Sequence, residues 1–147
     1  MFVYDITGGT KKERSIIEEA LFFAKEYLIP RIRNLDVEIS LVKNMDVDAD
    51  VVGDEREFVM RIRKGQDRDD LLTAVFHEMV HVKQYVRNEH PVFDVGCEVD
   101  YLERPWEIEA FDLQEKMLDT AAVAGIVNGG VYHSPTIIKS AVDGHGE

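Results

Sequence analysis

The chain has 147 residues, 45% hydrophobic and 31% charged, with 17 Lys and Arg against 29 Asp and Glu and a single cysteine. That length suits one domain burying roughly 70% of its unfolded surface, and a formal charge of -12 has the wrong sign for gripping phosphates, which argues against nucleic-acid and anionic-membrane partners. Cys97 alone forms no internal disulfide, MFVYDITGGTKKERS lacks the basic-then-apolar profile of a secretory leader, and no apolar run approaches a membrane span, so a cytoplasmic setting is expected.

Thr10 followed by Glu13 has capping-box spacing, and apolar residues then recur at Ile16, Ile17, Ala20, Leu21, Ala24 and Leu28. This predicts a first helix from about residue 11 to 29, stopped by Pro30. Three alternating stretches follow: Val37-Ile39-Leu41, Met45-Val47-Ala49-Val51 and Phe58-Met60-Ile62. They predict two or three strands of an antiparallel sheet with one buried face. Asp69-Asp70 supplies caps for a second helix, about residues 70 to 88. After a loop with His90-Pro91 and Gly96, Pro105 sits where a helix tolerates proline, at the start of a third helix of about residues 105 to 124. Gly125 and Gly129-Gly130 end it. The expected organisation is an α+β domain over residues 1-130 with a polar tail at 131-147.

The second helix contains His77-Glu78-Met79-Val80-His81, an H-E-x-x-H sequence. Residues four apart stand one above the other on a helix, so both imidazoles can reach one ion. Zinc suits two neutral imidazoles plus a carboxylate, with a fourth position for water whose proton Glu78 can accept. This composition yields only about 0.02 such matches by accident. Ala74, Val75, Phe76, Met79, Val80 and Val82 make the helix apolar nearly all round, as in a buried helix, and buried imidazoles need partners.

A third ligand must come from His90, Glu107 or Glu109. His90 lies at the end of the motif helix, with no Gly between it and His81 to turn the chain back. On the third helix, Trp106, Ala110, Leu113 and Met117 define an apolar stripe. Glu107 falls within that arc, whereas Glu109 points about 160° away from Glu107. A carboxylate aimed into a core needs a cation, which makes Glu107 the ligand and Glu109 the reserve.

HEMVH followed by a later helix carrying ERPWEIEAF resembles the gluzincin branch of zinc metallopeptidases, the thermolysin-like group, in its shortest single-domain form, the minigluzincins and related phage and bacterial proteins. The resemblance spans about residues 10 to 124 and is specific at those two motifs. It implies a minimal zincin-like domain in which His77, His81 and Glu107 bind Zn2+ and Glu78 polarises the water and shuttles its proton. It also implies that an edge strand, Phe58 to Lys64, lines the cleft and pairs with an extended peptide. The family's acid one turn beyond the Glu ligand is replaced here by Phe111, and Asp112 stands in that relation to Glu109.

Other features have plainer readings. Asp46, Asp48, Asp50, Asp54 and Glu57 follow calcium-loop spacing, but Val51 replaces the turn glycine, so a solvated acidic strand face is the simpler account. Tyr85 and Tyr101 are candidate oxyanion donors or core tyrosines. Lys83 and Gln84 read as the solvent edge of the motif helix, Arg104 as a surface ion-pair former, Cys97 as packing. His133 and His145 lie in the tail. The leading expectation is a zinc metallopeptidase acting through a zinc-bound water activated by Glu78 on a peptide or protein substrate. The competing one is a non-catalytic structural or interaction protein with an assembly partner, virion-associated if phage-encoded, that keeps the fold and metal site.

Overall fold

Phe2 to Thr7 is dense in the aromatic and β-branched side chains that suit a pleated surface, and in the computed structural model it forms a strand, β1 (Phe2–Thr7). The structure describes residues 1–89 and 104–123. Then come α1 (Lys11–Leu28), β2 (Leu35–Val42), β3 (Ala49–Asp54), β4 (Glu57–Arg63), α2 (Arg68–Val86) and α3 (Pro105–Val123). The class is α+β, as expected. The boundary at residue 130 and the tail after it lie outside the described residues, as do His90, Cys97, Tyr101, His133 and His145.

The sheet runs in the order β1-β2-β4-β3. β1 pairs with β2 and β2 with β4 in parallel, and only β3 with β4 is antiparallel. The sheet is therefore mixed, which corrects the antiparallel expectation. The physical reason is α1: a helix between two strands carries the chain back to the same end of the sheet, so β2 is laid beside β1 in the same direction. The alternation of apolar residues reports which face is buried, and is silent about direction.

The burial itself follows the alternation. Val37, Ile39 and Leu41 of β2 stand opposite Phe58, Met60 and Ile62 of β4, and all six are at most 5% exposed. Ala49, Val51 and Gly53 continue the same rungs onto β3. α1 and α2 cover this face with Ile17, Leu21, Phe23, Leu71, Leu72, Val75 and Phe76, and the rings of Phe23 and Phe76 pack with centroids 5.4 Å apart. Each such side chain contributes roughly 1.5–3 kcal/mol on burial.

α1 begins as its spacing predicts. The Thr10 hydroxyl oxygen accepts from the Glu13 N–H at 3.0 Å, and the Glu13 carboxylate accepts from the Thr10 N–H at 2.9 Å. The other Glu13 oxygen accepts from the Gly65 N–H at 2.7 Å, fastening the start of α1 to the turn after β4. Gly8, with φ +85°, makes the β1-to-α1 turn where a Cβ would stand 2.6 Å from the Leu41 carbonyl oxygen, so only glycine fits there.

Two expectations shift. The strand anticipated from Met45 begins at Ala49, and it, not the Phe58 to Lys64 segment, is the sheet edge beside α2, because β4 is enclosed between β2 and β3. The cap of α2 is Asp67, whose side chain accepts from the Asp70 N–H, with Asp69 and Asp70 inside the first turn. Across the helix pair, Arg68 of α2 holds Glu19 of α1, which is fully buried. No described helix is long and apolar enough to cross a membrane.

Candidate metal centre

α2 packs against α1, β3, β4 and α3, which is why it is apolar on nearly every side. Four polar side chains nevertheless lie buried along it: His77, Glu78, His81 and Gln84. The two imidazoles, one turn apart, have centroids 5.0 Å apart. α3 brings Glu107 to them from its first turn, and Ala110, fully buried one turn later, keeps the two helices close. One Glu107 carboxylate oxygen lies 3.0 Å from His77 Nε2 and 3.3 Å from His81 Nε2. One ligand atom from each residue lies within 4.8 Å of the others, and all three residues are buried.

The far side of each ring decides what those nitrogens can do. Gln84 Nε2 donates to the Trp106 carbonyl at 2.9 Å and to Glu109 Oε1 at 2.7 Å. Both acceptors fix the orientation of the amide, so its Oε1 faces His81 Nδ1 at 2.8 Å and can only accept. His81 Nδ1 therefore carries a hydrogen, and in the neutral ring Nε2 bears the lone pair. Gln114 Oε1 meets His77 Nδ1 at 2.8 Å in the same manner. Two lone pairs and an anionic oxygen then converge at hydrogen-bond distance. Such a group is repulsive unless a proton or a cation stands within it.

The electrostatics carry the same message. Burial alone would raise the Glu107 carboxyl, but the hydrogen bonds and charges of His77 and His81 outweigh it and hold the group down to about 2. For His81, burial favours the neutral ring, and the contacts with Glu107 and Gln84 overcome it, raising the imidazole. Glu78 is different. Burial, helped by the charges of Glu107 and Asp50 and opposed by those of His81 and His77, pushes it up to about 7. It is 7% exposed, and no hydrogen bond to its carboxylate occurs among the described residues.

Glu78 opens onto two cavities. One, about 290 Å³, is lined by Val47, Ala49, Ala74, His77 and Phe111, among others. The second, about 360 Å³, lies between β3 and His81, Tyr85 and Glu107. The ring of Tyr85 packs on Phe58 at 5.8 Å and is half buried at the wall of that second cavity.

The structure thus brings together His77, Glu78, His81 and Glu107. Glu109, the reserve, stands apart: Lys83 Nζ donates to its Oε2 at 2.7 Å and Gln84 to its Oε1. Gln84 is 1% exposed, so it is not a solvent-edge residue. Phe111, at the position where an acid was sought, packs its ring on His77 at 4.6 Å, and the polar contact to His77 comes from Gln114 instead. Asp48 and Asp50 pair with Arg63 and Arg61 on the β3–β4 hairpin, in keeping with the solvated-face reading rather than a calcium loop. Sequence reasoning missed Gln114 and Gln84. The signal for the first was its position seven residues, or two turns, beyond Glu107 on the same face.

Scans against family models, curated proteins and solved structures find no match for the chain.

Proposed function

We propose that the protein is a zinc-dependent hydrolase of peptide bonds on a zincin-like domain, with His77, His81 and Glu107 as the zinc ligands and Glu78 as the general base. The observation that carries the reading is the convergence of two Nε2 lone pairs on the Glu107 oxygen at 3.0 and 3.3 Å. Ligand bonds of roughly 2.0–2.2 Å in a tetrahedral site put donor atoms about 3.3 Å apart. Two imidazoles and one carboxylate are also a donor set that zinc favours.

Zinc in that position supplies a Lewis acid that acidifies a water and polarises the scissile carbonyl. The remaining work falls to the chain. Glu78, buried beside the ligands and open to the cleft, takes the proton of the attacking water and delivers it to the departing amine. Gln84 and Gln114 keep both rings in the tautomer that presents Nε2. β3 presents an edge strand to the cleft, with Ala49 and Val51 in the cavity wall, so an extended peptide can pair with it. A purely structural zinc site is closed by four ligands and has no base beside it; three donors, and a Glu78 with no hydrogen bond to its carboxylate, among the described residues favour the hydrolase.

The test is zinc stoichiometry together with chelator-sensitive cleavage of a denatured protein. Glu78→Gln is expected to keep one zinc per chain and to lose roughly 10²- to 10⁴-fold in cleavage rate. Equal cleavage by the variant, or no zinc uptake by the wild type, overturns the assignment. Zinc retained with neither form active leaves the structural alternative in its place.

A further inference from the structure

We propose that the cavity beside His77 is a subsite for a lysine or arginine side chain of the substrate peptide. The proposal rests on the hydrolase reading and adds its side-chain preference. At about 290 Å³ the cavity is smaller than sites that enclose a whole small-molecule ligand, and it suits one long side chain. Its walls are Val47, Ala49, Ala74 and the ring of Phe111, while Asp48, Asp70 and Thr73 supply polar groups around it. Lys and Arg have the matching division, an apolar stem and a charged head.

The charges select the cation. Asp70 makes no ion pair among the described residues, and its carboxylate is available to an incoming ammonium or guanidinium. Asp48 is already paired with Arg63 at 2.6 Å on the exposed hairpin, so the open carboxylate at this rim is that of Asp70. The N-terminus of a helix attracts anions, but the start of α2 carries Asp67, Asp69 and Asp70, and Asp67 already occupies the Asp70 N–H. An acidic side chain would meet Asp70 and Glu78 together. A second observation lies at the inner end: Glu78, more than nine-tenths buried and without a hydrogen bond among the described residues, opens into the same cavity, as a group waiting for a ligand does. The subsite therefore adjoins the reacting bond.

The experiment has two arms. Zinc-loaded wild type is given a peptide library and its cleavage sites are mapped by mass spectrometry, where Lys and Arg are expected to be enriched at one position next to the cut. Zinc-loaded Glu78→Gln is titrated with fluorescent peptides differing only there, Lys against norleucine against Glu. Lys should bind about tenfold more tightly than norleucine, with Glu weakest, and the difference should shrink with salt and in the Glu78→Gln, Asp70→Asn double variant. Cleavage with no basic preference overturns the subsite and leaves the hydrolase reading intact. If nothing is cleaved, that reading fails, and the titration decides the subsite by itself: Lys and norleucine bound equally, or neither bound, overturns it.

Discussion

Replacing Gln84 by Met keeps the size of the side chain and removes three hydrogen bonds: from His81 Nδ1, to the Trp106 carbonyl, and to Glu109. Glu109 retains Lys83, so the cost falls on the other two contacts, at roughly 1–3 kcal/mol for each buried group that loses its partner. A stability loss of about 2–6 kcal/mol follows. The more specific effect is on metal. Once Nδ1 has no acceptor, His81 is free to place its hydrogen on Nε2, and part of the binding energy goes into reversing that choice. Zinc affinity should fall roughly 10- to 100-fold, or about 1.4–2.7 kcal/mol. Competition with a chromogenic chelator measures it, with circular dichroism to establish that the variant is folded. Gln84→Glu is the control, since its carboxylate still accepts from Nδ1 but cannot donate to Trp106 and stands against Glu109. It should lose stability and keep near wild-type zinc affinity. A folded Gln84→Met that binds zinc like the wild type, or a Gln84→Glu that binds as poorly as Gln84→Met, would refute the tautomer argument.

Glu107→Ala should weaken zinc binding at least a hundredfold because it removes a ligand, whereas Glu109→Ala should cost no more than about tenfold; equal losses in the same competition assay would reopen the choice of ligand. Zinc must displace the proton that a raised His81 retains, so below that pKa affinity should fall about tenfold per pH unit; a flat profile, after correction for the chelator's own protonation, counts against Nε2 ligation. In the metal-free protein, Glu78 is raised from 4.5 to about 7. Its contribution to stability is therefore fully present below pH 4.5 and disappears as pH rises through 7, a loss of about 3 kcal/mol by pH 8, so urea titrations should show a decline from pH 5 to 8 that Glu78→Gln reduces to the part contributed by the raised His81. Glu107, lowered to about 2, works in the opposite direction, its contribution being present above 4.5 and lost as the solution is acidified. Thr10→Ala should cost about 1 kcal/mol, seen as a drop of about 3 °C in Tm, and no change in zinc affinity.

What could be read from the sequence was what is local. Thr10 and Glu13 announce α1 because a cap is a contact between near neighbours, and His77 with His81 announce two imidazoles on one face because four residues is one turn. Glu107 was separable from Glu109 because helical angle alone sends one toward the core and the other toward Lys83 and Gln84. The parallel pairing of β1 with β2 was not legible, since FVYDIT has the composition of a strand but nothing in six residues states its neighbour or its direction. The cleft strand was misplaced for the same reason: Phe58-Met60-Ile62 and Ala49-Val51 alternate alike, and only the sheet order tells the enclosed strand from the edge. Gln84 and Gln114 escaped because an amide on a helix is ordinarily solvated, and their work becomes visible only when α3 is laid against α2.

The charge within this buried group connects the helix pattern to the chemistry. With both imidazoles neutral and both carboxylates ionised, Glu78 and Glu107 place two negative charges in a region from which α1, α2 and the sheet exclude most water. Metal-free protein can relieve that only by taking up protons, and the raised His81 and the raised Glu78 are that uptake distributed over two sites. A dication between His77, His81 and Glu107 would bring the sum to zero without protons. It would then lower Glu78 by direct attraction across the turn, returning the carboxylate to its basic form at the pH where a hydrolase would need it. The apolar surround that makes α2 a core helix is therefore also what would make Glu78 responsive to a metal. Phe111 belongs to that surround, because its ring covers His77 on the side where an acid would have added a third negative charge.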